Sequence, residues 1–468
     1  MLILLALPLL YGIYLKSAKK LTAEKLCALL LISGLILRLC YISYTDEFTR
    51  QHDLGRFYEP NEDHSGYILY LMKNHCLPDF DPRGHWQFYH PPLHHIISAV
   101  VLSIVKALGI DYIDKGPGIL QLISVGYSTL FAVLASKAVR QLGVKDNALV
   151  LSTAVVAFHP TLVILSGSIN NDMLSALMQM AALYFTIRWG KERKLWQIIC
   201  IAFSVGLGMM TKLTVGLLAP AIASVFLVIL IKNYKEWKKL LPQFAAFGVI
   251  CVPLGLFWPV RNLVKFGVPL NYVPALSPYS MQYIDVPKAQ RLFDFSVYQL
   301  ASPFTQWKWN GANYNEFNPV IALLKNSMFD EETFFPRSIT LQSVCTLLFA
   351  AGAVCAVLSA VSVIALWRKK EKLPLEFKLL LTLTFGVIFV NYIIFCLNYP
   401  HVCTENMRYC VPLIFAGAAS LGLMLDRTRD SAGTAAKLVS KTARFSMTAM
   451  PILSAFVYTV MMYYELTE

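Results

Sequence analysis

"HPPLHHIISAVVLSIVKALG", His90–Gly109, decides how the chain is threaded. The stretch is apolar over most of its length, yet it carries His94, His95 and Lys106. Pro91 and Pro92 suit a first helical turn, where the missing N–H would have no partner anyway. Read as a membrane span, this segment would turn every later helix over. Read as a helix lying in the outer membrane interface, it leaves the order of the others intact.

The basic residues choose between the two. The chain has 468 residues, is 56% hydrophobic and only 15% charged, and its mean hydropathy is +0.54. A soluble surface needs more charge than this. Apolar runs occupy about 2–15, 24–44, 117–139, 147–166, 173–189, 196–211, 213–231, 241–258, 341–366, 377–398, 409–425 and 446–463. Many approach the ~20 residues needed to cross a ~30 Å hydrocarbon core. Between them lie basic clusters at Lys16–Lys25, Lys137–Lys145, Arg188–Lys194, Lys232–Lys239, Arg368–Lys378 and Arg427–Arg444, which hold 25 of the 41 Lys and Arg. All six fall on one side if the twelve runs cross alternately, as the positive-inside rule expects. Of the 28 acids, 20 fall on the other side. A span at His90–Gly109 would break this agreement.

The expected fold is therefore all-α: a polytopic membrane protein of about twelve transmembrane helices, 1–468 forming a single integral-membrane domain. Two long polar segments, 45–116 and 259–340, lie outside, the first containing the interfacial helix. The first run, "LILLALPLLYGIYL", lacks a basic n-region and an A-x-A site and reads as a span rather than a signal peptide. The net charge of +13 sits in the inner clusters, which argues against nucleic acid. Ten scattered cysteines show no CxxC and no zinc spacing. They read most simply as small buried hydrophobes; Cys403 and Cys410 flank a polar segment and could pair, but no disulfide framework surrounds them.

The residues able to do chemistry collect on the outer side. The first segment sets Asp46, Asp53, Glu62, Asp63, Asp79 and other acids among Tyr67, Tyr70, Trp86, Phe88 and Tyr89. A carboxylate with little access to water can act as a general base, although a solvated loop would be polar too. "SGSINNDML" places Asn170, Asn171 and Asp172 between two runs with hardly a loop, where they are equally suited to capping a helix. In "GLGMMTKLTV", Lys212 sits at an outer hinge between two uncharged runs. It either snorkels or finds an anion. "WPVRNLVKFGVPL" and "NYPHVCTENMRYCVPL" put Arg261, Arg408 and Tyr409 at outer span ends. Each cation alone is an ordinary interface anchor, but three together suggest a shared anionic ligand such as a phosphate. Arg38, inside the second run, is placed to snorkel outward or to pair with an acid of the first loop.

In order along the chain stand an acidic outer loop, "HPPL", "NNDML", "TKLT", "RN…FGVPL" and a late "RY". This series resembles the membrane glycosyltransferases of the GT-C class, in particular the dolichyl-phosphate-mannose protein mannosyltransferase and aminoarabinose transferase group, over about residues 45–412. The resemblance implies transfer of a sugar from a polyprenyl-phosphate donor to a hydroxyl of a glycan, lipid or protein acceptor. It places the reaction on the outer face of a plasma or endoplasmic reticulum membrane, usually with inversion, and implies an early-loop Asp as base. Asp63 resembles the family's DExxYxxxA pattern, with His64 where a Glu often stands. Asp53, in the compact "RQHD" cluster, is the competing candidate and is modestly favoured. Lys212, Arg408, Tyr409, Arg261, Asp172, Asn171, His90 and Arg50 are the implied donor and acceptor contacts. No metal ligand set is convincing, and a divalent metal is left open. A secondary transporter or lipid flippase is the competing class. Such proteins commonly show two related halves with charges near the midplane, whereas here the polar clusters lie at one surface.

Overall fold

The computed structural model describes residues 2–46, 51–58, 61–305, 316–331, 338–368, 373–428 and 433–461. Arg50 lies outside them. Among the described residues the chain is helical, with no strand and one isolated bridge, Tyr283 to His401. Helices are the economical answer in lipid, because every backbone group is satisfied within the segment.

Six helices are long and apolar enough to cross a membrane: Ala23–Tyr44, Gly116–Gln141, Leu213–Lys232, Tyr234–Phe266, Ile339–Ala365 and Leu375–Asn398. Two bent pairs, Asp146–Ala157 with Pro160–Gly167 (48°) and Val402–Tyr409 with Pro412–Thr428 (52°), raise this to eight if each counts as one span. The chain is thus a multi-pass integral membrane protein, but the expected count of about twelve is not established. The remaining apolar runs are also helical but fall short in length or composition. Leu195–Met209, with 15 residues, reaches only ~22 Å, and Asp172–Glu192 carries Asp172, Arg188, Lys191 and Glu192. His90–Gly109 is no span: its helix, Leu93–Ala107, has 15 residues and begins after Pro92.

The chain forms two compact units. One comprises 1–44, 132–164 and 275–468, the other 45–131 and 165–274. In the first, the helix Ala23–Tyr44 packs on Asp146–Ala157. Gly34 is required there, since a Cβ would come within 2.8 Å of the Ala157 carbonyl oxygen. Arg38 is fully buried and donates to the carbonyls of Gly34 (2.8 Å) and Ala157 (2.9 Å). The break after Ala157 leaves a terminal carbonyl without its helical donor, and Arg38 serves it instead of snorkelling. Two buried ion pairs tie down the second long polar segment: Arg291 to Glu405 at 2.6 Å, and Lys325 to Glu316. Arg291 also donates to the carbonyls of Phe317 and Cys396, so its charge is well satisfied. No disulfide joins any of the ten cysteines, and Cys403 and Cys410 form no bridge.

In the second unit, Leu195–Met209 packs between Asp172–Glu192 and Trp237–Phe266. The first long polar segment builds a core of its own within this unit: Phe57, Tyr67, Ile68, Leu71, Phe88, Ala99 and Leu102 bury one another. It is a packed layer of helices rather than a solvated loop.

Candidate functional site

The acid pair of the first outer segment is built by one amide. The Asn61 side-chain oxygen accepts N–H bonds from Asp63 (3.0 Å) and Gly66 (2.9 Å) and the Ser65 hydroxyl (3.1 Å). That caps the helix His64–Asn74. Gly66 makes the approach possible, because a Cβ there would sit 1.9 Å from the Asn61 carbonyl oxygen. With capping done by Asn61, the Asp63 carboxylate makes no cap bond, although Asp63 holds the N-cap position. Among the described residues it accepts no hydrogen bond.

Asp53 lies beside it. Its carbonyl accepts the His64 N–H at 3.0 Å, and its backbone is left-handed, φ 55°, a conformation Asp tolerates better than most residues. Asp53 is exposed and Asp63 half-buried. Partial burial raises the Asp63 carboxyl above the usual carboxylate range, and the charges of Asp53 and Glu62 add to this. The two acids that competed in the sequence are therefore neighbours in different environments.

Behind them stands a stack of rings. His64 Nδ1 and His95 Nε2 are 2.9 Å apart. His90 also stacks on His64, with ring centres at 5.6 Å, and Tyr67 stacks on His95 at 4.2 Å. Burial holds the His95 imidazole well below its ordinary range. The Tyr67 hydroxyl, fully buried, has no hydrogen-bond partner among the described residues.

A second cluster forms where three helix ends meet. The Leu93 N–H donates to the Met210 carbonyl at 2.9 Å, Asn171 Nδ2 to the Thr211 carbonyl at 3.1 Å, and Lys212 Nζ to the Asp172 carboxylate. The start of the surface helix, the start of Asp172–Glu192 and the Lys212 hinge are thereby stitched together. Lys212 is no isolated cation: it and Asp172 are both buried and paired. Asn170 takes the local capping role, its side-chain oxygen accepting the Asp172 N–H at 3.0 Å. His94 faces this pair. It is buried, and both of its ring nitrogens lack a hydrogen-bond partner among the described residues. Burial lowers its imidazole to about 4, against the opposing pull of the Asp172 charge. The Asn170 side-chain nitrogen is likewise buried without a partner among the described residues. Sequence reasoning passed over His94 because a His on an apolar helix usually belongs to a core.

Arg261 lies in the same unit. It donates to the Pro78 carbonyl at 2.5 Å, approaches Asp79 at 3.7 Å and lies over the Trp258 ring at 5.0 Å. The first unit holds Arg408 and Tyr409. The Arg408 guanidinium lies 5.0 Å from the Tyr409 ring centre and 3.9 Å from Glu331, whose carboxylate accepts from Asn406 at 2.9 Å. Among the described residues, neither unit on its own brings three His, Cys, Asp or Glu ligand atoms to metal-binding spacing.

The family model of dolichyl-phosphate-mannose-protein mannosyltransferases matches residues 90–258. No curated protein sequence matches the chain. Among solved structures, the fold is similar to ArnT from Cupriavidus metallidurans in the apo state, with 13% identity and a TM-score of 0.38 over 84% of this chain and 77% of that one. It is similar in the same measure to ArnT bound to undecaprenyl phosphate, over 84% of this chain and 78% of that one. The matched segment begins at His90 and includes the surface helix, the Asn170–Asp172 turn and the Lys212 hinge, so the chain's resemblance to the GT-C membrane glycosyltransferases rests on residues that carry its second polar cluster.

Proposed function

We propose that the protein transfers a sugar from a polyprenyl-phosphate donor to an acceptor hydroxyl on the extracytoplasmic or lumenal face, with Asp63 as the base. An alcohol is a poor nucleophile at neutral pH, so a carboxylate must take its proton as the new bond forms. The acceptor oxygen bonds to the anomeric carbon, and the carbon–oxygen bond to the lipid phosphate breaks. The phosphate leaves with the bonding electrons, and the proton passes to Asp63. One displacement of this kind inverts the anomeric centre.

The observation that carries this reading is the Asp63 carboxyl: half-buried, free of hydrogen bonds among the described residues, and raised by burial and by two neighbouring acids. A raised carboxyl is a stronger base, better matched to this task than the exposed Asp53. The family match over residues 90–258 supports the reaction class. Lys212, Arg261 and Arg408 are the proposed cations for the leaving phosphate. Asp172 anchors Lys212, and Asn171, Tyr409, His90 and Arg50 are proposed contacts of donor or acceptor. Preplaced cations stabilise the developing phosphate charge most where water is scarce.

The test is sugar release from a radiolabelled polyprenyl-phosphate donor by purified protein. Asp63→Asn should cut transfer by about 10²-fold or more, and Asp53→Asn by less. Full loss in Asp53→Asn with near-normal Asp63→Asn would reverse the assignment. Two active variants would remove the base from this segment.

A further inference from the structure

Two unassigned cavities run along the helix His64–Asn74. One, of about 790 Å3, is lined by Tyr58, Asn61, Tyr70, Asn74, Lys73 and Lys106, among others. The other, of about 670 Å3, is apolar, with Leu71, Leu77, Ile96, Val100 and Ile104 on its walls. His75 and Ser103 line both, so they form one groove with a polar lane and an apolar lane. The order of chemistry along it is specific. The polar lane starts at Asn61, whose side chain holds the Asp63 N–H. Aromatic rings and amides follow, a composition that suits sugar C–H faces and hydroxyls. Lys73 and Lys106 come next, close in sequence to the shared His75 and Ser103. No Asp or Glu lines this lane. Among the described residues neither lysine forms an ion pair, and Lys106 lies only over the Tyr112 ring, at 5.5 Å. Beyond the lysines the apolar lane opens along Val100 and Ile104, both more than half exposed on the surface helix.

We propose that this groove is the acceptor site and that the acceptor is a lipid-linked glycan. Its saccharide lies against Tyr58, Asn61 and Tyr70, its phosphate linker at Lys73 and Lys106, and its hydrocarbon chain along Ile96, Val100 and Ile104. The assignment rests on Asp63 as the base. Ten residues of helix separate Asp63 from Lys73, about 15 Å at ~1.5 Å per residue. A donor's phosphate is bonded to the carbon that reacts, so it must lie within a few ångströms of the base. A phosphate held at Lys73 is therefore not the leaving group. It belongs to a molecule whose reacting hydroxyl is separated from its own phosphate by a short saccharide.

Cys76 provides the test. It is exposed and lines the apolar lane. Purified protein in nanodiscs is treated with a fluorescent maleimide, and the Cys76 labelling rate is followed with farnesyl diphosphate as the probe. Farnesyl diphosphate should slow labelling, whereas inorganic diphosphate, lactose and a Ser/Thr-rich peptide should not. Lys73→Glu/Lys106→Glu should weaken protection by about tenfold or more, the effect of ~1.4 kcal/mol, and Lys73→Arg/Lys106→Arg should keep it. Asp63→Asn should leave protection intact, which separates the groove from the chemistry. Equal protection by farnesol would overturn the phosphate assignment, protection by the peptide would make the acceptor a protein, and no protection would remove the groove as a site. In a transfer assay, label recovered in the lipid extract supports the proposal. Label recovered in protein overturns it while leaving sugar transfer standing. If no sugar leaves the donor, sugar transfer itself falls, and Cys76 protection decides the groove alone.

Discussion

Breaking the Lys212–Asp172 pair should cost more than deleting it. The two side chains are 11% and 2% exposed, and the residue facing them, His94, is held neutral near physiological pH. Lys212→Met leaves a buried carboxylate without its cation, and Asp172→Leu leaves a buried ammonium without its anion. Losing one partner of a buried pair costs about 3–5 kcal/mol, whereas replacing both by apolar groups is often neutral. At about 2 °C per kcal/mol for a chain of this size, each single variant should melt ~6–10 °C lower. The double variant Lys212→Met/Asp172→Leu should return to within ~2 °C of the wild type, a coupling that only contacting residues show. Tryptophan fluorescence in detergent reads this directly, because Trp189 and Trp258 are buried in the same unit. Single variants that melt like the wild type, or a double variant no better than the worse single, would refute the pairing. The same proteins separate structure from chemistry. If Lys212 also holds the donor phosphate, the double variant recovers stability but not transfer.

If Asp63 is the base, it acts only when ionised, so the acid limb of kcat/KM should be shifted upward from the position of an ordinary Asp, in the direction that burial and its acidic neighbours displace it. Asp53→Asn removes one of the causes and should move that limb to lower pH, and an unmoved limb would show that the two charges do not interact. His94 is neutral in the fold down to about 4 and titrates at 6.5 when unfolded. Its contribution to stability is therefore complete above pH 6.5 and lost as the pH falls towards 4, by about 3 kcal/mol in all. The stability difference between the wild type and His94→Gln should shrink by that amount over this window, and a constant difference would contradict the burial argument. For orientation, in a Cys76→Ala background, Tyr279→Cys should react with an impermeant maleimide from outside and Lys238→Cys should not. The reverse pattern would invert the proposed topology.

Helices, and the break that keeps Leu93–Ala107 short of a span, were legible because both depend on local pattern. Hydropathy marks an apolar run wherever it packs, and the Pro91–Pro92 pair with Lys106 marks a helix that starts abruptly and does not cross. The number of spans was less legible. Hydropathy does not register that Leu195–Met209 is too short, or that charges at both ends of Asp172–Glu192 shorten its apolar part. The Asp53 and Asp63 candidates were found as residue types, but what separates them is not a sequence property. Asn61 takes over the capping of the helix and leaves Asp63 unbonded, while Asp53 stays exposed on a left-handed turn.

The pairings were the least legible part of the site. Lys212 and Asp172 are 40 positions apart, Arg291 and Glu405 are 114 apart, and Arg38 is satisfied by a carbonyl 119 positions away. Contacts at such separations leave no periodicity, so the sequence offered Lys212 a headgroup or an unnamed anion and Arg38 a snorkelling route or a first-loop acid, and it gave no partner to Arg291 or Lys325. Burial changes that reading, because a charge removed from water must find its counter-charge or dipole inside the protein. The side chains that did find one, Lys212, Arg291, Lys325 and Arg38, hold the scaffold together. Lys73 and Lys106 remain unpaired beside a groove, and His94 keeps two bare nitrogens facing an ion pair. Lys73 and Lys106 are exposed, and water satisfies their charge, so their link to a ligand rests on the proposed groove alone, whereas His94 is buried and its bare nitrogens carry a desolvation cost.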